Sequence, residues 1–147
     1  MTLQVDDILI DGQSGGLKTK FLALSFSIGG ILGHYSDSYN YVVSQLIIPQ
    51  LASLDTGFTK IEVKYLINYS TKGTATIDVQ LYDYTDSVAV AGTEKNFPNG
   101  SCIFGESNWL DITSLGGKAL RVGTKRNGGS GSNKVYLEGV TLLLKFS

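Results

Sequence analysis

Lys60-Ile61-Glu62-Val63-Lys64-Tyr65-Leu66-Ile67-Asn68-Tyr69 puts Ile61, Val63, Tyr65, Ile67 and Tyr69 on one parity and Glu62, Lys64 and Asn68 on the other. A side-chain period of two is that of a half-buried β-strand. Working outward, Ile77, Val79 and Leu81 repeat the pattern against Asp78, Gln80 and Tyr82. Between the two runs, Lys72-Gly73 predicts a tight hairpin, because glycine supplies a positive φ without steric cost. Such runs continue in series, broken at Gly, Asn, Asp or Ser. They predict an all-β chain folded as an antiparallel β-sandwich of two sheets.

Further strands are expected at about 87–92, 101–104, 108–113, 118–125 and 134–146, and earlier at 19–28 and 41–48. Pro49 stops the last of these, since it cannot donate to a ladder. Leu3, Val5, Ile8 and Ile10 suggest an N-terminal strand, and residues 50–57 are the one place for a short helical turn. The Gly- and Ser-rich run 125–133 is read as a flexible connection between the last two strands, not as a linker, because neither flank could bury itself alone. Residues 1–147 are therefore taken as a single domain.

The final strand changes phase. Val135 and Leu137 share one parity, whereas Val140, Leu142, Leu144 and Phe146 hold the other. Both sets face one core only if an extra residue is inserted near Glu138-Gly139, which predicts a β-bulge.

Composition narrows the function. Lys and Arg number 12 against 13 Asp and Glu, so no basic surplus exists to neutralise phosphates, and nucleic acid is not an expected partner. The single Cys102 excludes an intrachain disulfide and a cysteine zinc cluster, and is expected to be a buried, inert thiol. The apolar stretch 21–33 behind Lys18 and Lys20 is too short to span a bilayer and reads as a buried strand. A soluble chain without signal peptide or membrane span is expected.

Lys60 to Tyr65, Ile77 to Asp83, Asn108-Trp109-Leu110-Asp111-Ile112-Thr113-Ser114-Leu115, Leu120 to Gly123 and Val135 to Val140 together carry a resemblance over roughly the last 90 residues. This succession resembles the jelly-roll sandwich of carbohydrate-binding modules and related virion structural proteins, where a Trp-started strand precedes a short turn and two closing strands. The resemblance implies a jelly-roll-like topology. One sandwich hosts many unrelated functions, so the residues must decide between them.

Little in the chain suggests chemistry. His34 is the only histidine, and neither a G-x-S-x-G elbow nor an H-E-x-x-H helix occurs. Gly128-Gly129-Ser130-Gly131 lacks the strand-then-helix context of a phosphate loop. The jelly-roll resemblance admits a structural Ca2+, to which Asp6, Asp7, Asp83, Asp86 and Asp111 could contribute, but no local loop motif supports one. No enzyme activity, cofactor or metal is assigned. The candidate contact cluster is Tyr35, Asp37, Tyr39, Asn40 and Tyr41, whose rings offer apolar faces with polar tips beside hydrogen-bonding groups. Tyr82 and Tyr84 form a second cluster, and Trp109 is assigned to the core. The expected function is a structural or assembly protein, of virion surface or capsid type, that binds other protein subunits as a homo-oligomer. The alternative is a carbohydrate-binding module that stacks sugars on tyrosine.

Overall fold

The computed structural model describes residues 20–26, 32–34, 37–41, 45–51, 57–129 and 133–147. Two long strands form the centre of each sheet. In the first sheet β5 (Ile61–Thr71) pairs antiparallel with β12 (Val135–Phe146), and in the second β6 (Thr76–Asp83) pairs antiparallel with β11 (Ala119–Asn127). Among the described residues each sheet edge is seen in shorter pieces. β1 (Lys20–Phe26) and β2 (Leu32–His34) line β12, while β9 (Ile103–Glu106) and β10 (Leu110–Asp111) line β5. Likewise β3 (Asn40–Tyr41) and β4 (Leu46–Ile47) line β11, and β7 (Val88–Ala89) and β8 (Lys95–Phe97) line β6. Counting each broken edge as one strand, both sheets are four strands wide, and their order is that of a jelly roll.

The parity read in the sequence is the parity of burial. Ile61, Val63, Tyr65, Ile67 and Tyr69 from one sheet meet Ile77, Val79, Leu81, Leu120 and Val122 from the other, all fully buried. The two core tyrosines tie the layers together through their polar tips. Tyr65 donates to the Thr93 carbonyl and Tyr69 to the Pro98 carbonyl, both at 2.8 Å, so neither buried hydroxyl is left unpaired.

The bulge lies where the phase change demanded it. Leu137 pairs with Tyr69 and Gly139 with Asn68, so Glu138 has no partner in the ladder. Val135, Leu137, Val140, Leu142, Leu144 and Phe146 are consequently all buried.

Several expectations are corrected. Lys72-Gly73 is not a hairpin turn: β5 and β6 lie in opposite sheets, and the chain folds over so that their apolar faces meet. Gly73 does take a positive φ, of 67°. The connection 125–133 also crosses between sheets, from β11 to β12, with residues 130–132 outside the described set. β8 was not anticipated in the sequence; its single buried apolar side chain, Phe97, gives too short a pattern to recognise. The expected strand at 108–113 shrinks to β10, because Thr113–Leu115 closes into a 3-10 turn. Cys102 is exposed rather than buried, since it sits at φ 51° in the turn before β9, where no strand parity directs it inward. Trp109 is not core: Leu110 takes the inward position opposite Val63, leaving Trp109 half-buried on the outer face. There the ammonium groups of Lys145 and Lys64 lie 4.6 and 5.5 Å from its ring centre. The N-terminal strand and most of the helical turn fall outside the described residues, as does the middle of the expected strand at 41–48.

The bulge reading has a direct mutational consequence. Leu142→Ala should cost about 2–5 kcal/mol in denaturant unfolding, because it empties a buried site. Leu143→Ala, on the half-buried outer parity, should cost clearly less; equal losses would show the phase to be wrong.

Candidate functional site: the outer face of the second sheet

Strand register brings the two sequence clusters together. Gly123 of β11 lies between Tyr41 and Gln80, and Arg121 lies opposite Tyr82. Tyr39, Tyr41, Tyr82 and Tyr84 therefore share the outer face of the second sheet. Tyr39 and Tyr41 stack at 6.1 Å between ring centres with 17° between planes, and Tyr41 meets Tyr82 at 4.4 Å. Tyr41 can lie this close because Gly123 has no side chain: a Cβ there would run into the Tyr41 ring. A glycine that weakens a strand is thus covered by an aromatic neighbour.

Charged groups pin the rings. The Tyr39 hydroxyl donates to the Glu94 carboxylate, and Lys125 lies 4.6 Å from the centre of the Tyr39 ring while contacting Glu94 at 3.4 Å. Burial, reinforced by the Glu94 charge, pushes the Tyr39 phenol well above its ordinary range, so it stays a donor. The Tyr39 hydrogen bond in turn holds Glu94 below the usual carboxylate value. Beneath this pair, Asp78 is 1% exposed although it points outward. Asn96 and Asn127 donate to its carboxylate at 2.6 and 3.0 Å, which satisfies the buried charge.

Each predicted residue has a distinct place. Asp37 accepts from Arg126 Nε and Nη2 at 2.8 and 3.2 Å, a bidentate tether that fixes the segment leading into Tyr39. Asn40 is exposed and its backbone pairs with Thr124. Tyr39, Tyr41 and Tyr82 are half-buried and laid along the sheet, whereas Tyr84 is 44% exposed at the far end. Tyr35 lies outside the described residues. Sequence reasoning missed Arg121, whose guanidinium carbon stands 3.7 Å from the Tyr84 ring centre, and Ile47, which is 70% exposed. The outward parity of Arg121 between Leu120 and Val122 was readable, but its stacking depends on the β6–β11 register. Among the described residues no group of three or more His, Cys, Asp or Glu is placed to hold a metal, and no helix is long and apolar enough to cross a membrane.

The end of this face is anchored by Lys118, which bonds Asp83 at 2.8 Å and Asp86 at 2.5 Å. Burial pushes the Asp83 carboxyl up, but Lys118 and the backbone N–H groups of Asp86 and Thr85 outweigh it and leave its pKa below the ordinary 3.8. A carboxyl lowered on folding contributes stability above its unfolded pKa and loses it as pH falls through the folded value. Lys118→Met should raise the Asp83 pKa and move the acid-unfolding midpoint to higher pH, as followed by circular dichroism. Separately, Gly123→Ala should cost about 1–3 kcal/mol by overpacking against Tyr41. Gly139→Ala, with open space around its Cβ position, should be close to neutral in the same unfolding measurement.

No family model matches the chain, and no curated protein matches it. Among solved structures, the VP2 subviral particle of infectious bursal disease virus matches with a TM-score of 0.47 and 10% identity, over 99% of this chain and 41% of that one. The Gx strain of the same virus matches with a TM-score of 0.46 and 11% identity, over 95% of this chain and 36% of that one. The Gt strain matches with a TM-score of 0.31 and 12% identity, over 88% and 34% respectively. This chain thus spans about two fifths or less of those solved chains. The fold itself, an antiparallel jelly-roll-like β-sandwich, stands on the strand order and register given above.

Proposed function

We propose that this chain is a structural or assembly protein, of virion surface or capsid type, that carries out no chemistry and works by presenting the outer face of its second sheet to other protein subunits. The observation that carries this reading is the row Tyr39, Tyr41, Tyr82 and Tyr84 on central strands and their neighbours, ending in exposed Tyr84 and Ile47. Aromatic side chains and arginine are enriched where proteins meet, and a grouped apolar surface is costly to leave in water. The rings are held before any partner arrives, by Gly123, Glu94, Lys125 and the Asp37–Arg126 tether, so little side-chain entropy remains to be lost on contact. Sugar stacking fits less well, because Tyr39, Tyr41 and Tyr82 lie on one another and Arg121 covers one side of Tyr84.

The test is Tyr84→Ala combined with Ile47→Ala. Both side chains are exposed, so thermal melting should be nearly unchanged. Sedimentation should show self-association weakened about tenfold or more, the effect of removing anchor side chains. Unaltered association would place the contact elsewhere. Loss of binding on a glycan array, with sedimentation unchanged, would establish the carbohydrate reading instead.

A further inference from the structure

Four large apolar side chains are exposed among the described residues: Ile47, Phe104, Val88 and Tyr84. Two of them share a row on the second sheet. Ile47 lies opposite Ala119, and the Tyr84 N–H donates to the Ala119 carbonyl. Arg121 is the next outward residue along β11, its Cα about 7 Å along the strand from that row, and its guanidinium folds back to 3.7 Å from the Tyr84 ring centre. It is stacked on Tyr84 but makes no hydrogen bond or ion pair with any described residue, and its Nε is buried without a partner. Six of the other described cations, Lys60, Lys64, Lys118, Lys125, Lys145 and Arg126, each reach a carboxylate.

The opposite outer surface carries the complement. On β9, Phe104 and Glu106 lie opposite Asn68 and Leu66, the outward residues of β5, so both project from the first sheet. Phe104 is 66% exposed, and the Glu106 side chain is 62% exposed with a 3.5 Å contact to Lys64. Being two residues apart on a strand, their Cα atoms are also about 7 Å apart.

We propose that a second copy of this chain docks its Phe104 and Glu106 onto Ile47, Tyr84 and Arg121 of the first. Phe104 packs against Ile47 and Tyr84, and the Glu106 carboxylate pairs with the Arg121 guanidinium, which has no carboxylate partner among the described residues. This names the partner for the face described above and rests on the assembly reading. The two halves lie on opposite outer faces, so the contact is heterologous and leaves one half of each pair open. Repetition gives a ring if the rotation closes and a filament if it does not.

The experiment is a charge exchange followed by sedimentation and thermal melting. Arg121→Glu and Glu106→Arg should each lower the associated mass of the intact chain. The double variant Arg121→Glu with Glu106→Arg should restore it, because every junction then joins opposite charges. Phe104→Ser, at a side chain outside the core, should also lose association while melting normally. Single charge variants and Phe104→Ser that all associate like the parent would overturn this contact, and if Tyr84→Ala with Ile47→Ala still dissociates the chain, the assembly face would stand with another partner surface. A parent chain that sediments as a monomer at every concentration would overturn both.

Discussion

The exclusion of Glu138 from the ladder between β5 and β12 is the constraint on which the interior depends. A strand shows alternate side chains to alternate faces, so a residue inserted at one point exchanges the faces of everything beyond it. Val140, Leu142, Leu144 and Phe146 reach the core by this exchange, and β12 is the strand against which β1, β2 and β5 are all aligned. Had the ladder continued without interruption, four large apolar residues would face water, and β12 would turn Gly139, Thr141, Leu143 and Lys145 toward the second sheet. Ser70 holds the bulged residue in place by donating to its carboxylate at 2.9 Å.

The outer face of the second sheet inherits its rigidity from the same core. Tyr82, Arg121 and Gly123 belong to β6 and β11, whose inward neighbours Leu81, Leu120 and Val122 are completely buried. Their positions cannot shift without disturbing the interior. The edge pieces β3 and β4 contribute Tyr41 and Ile47, each joined to β11 by two backbone pairs among the described residues. The Asp37–Arg126 ion pair and the Tyr39–Glu94 hydrogen bond add side-chain anchoring to this edge.

What could be read from the sequence was local. The parity of β5, β6 and β12 and the position of the bulge each depend on residues within one strand, so counting from Ile61, Ile77 or Val135 was sufficient. Pairing is not local. A glycine at Gly73 reports that the chain turns, but the same backbone φ serves a hairpin within one sheet or a crossing between two. Tyr39 and Tyr41 were separated from Tyr82 and Tyr84 for the same reason, since only the register across Gly123 and Arg121 joins them. Cys102 and Trp109 were misplaced by their usual tendency to be buried. Each lies at a strand boundary, where the neighbouring residue and not its own hydrophobicity decided its direction.

The broken edges restrict what another chain could do to this one. On the edges that line β5 and β6, no piece exceeds four residues, and two of the pieces have two. An incoming strand would find room for only one or two peptide hydrogen bonds before the edge bends away or ends. Backbone annealing is indifferent to side-chain identity, whereas the faces discriminate by shape and charge. Edges cut short in this way can be crowded at high local concentration while leaving the choice of neighbour to the side chains.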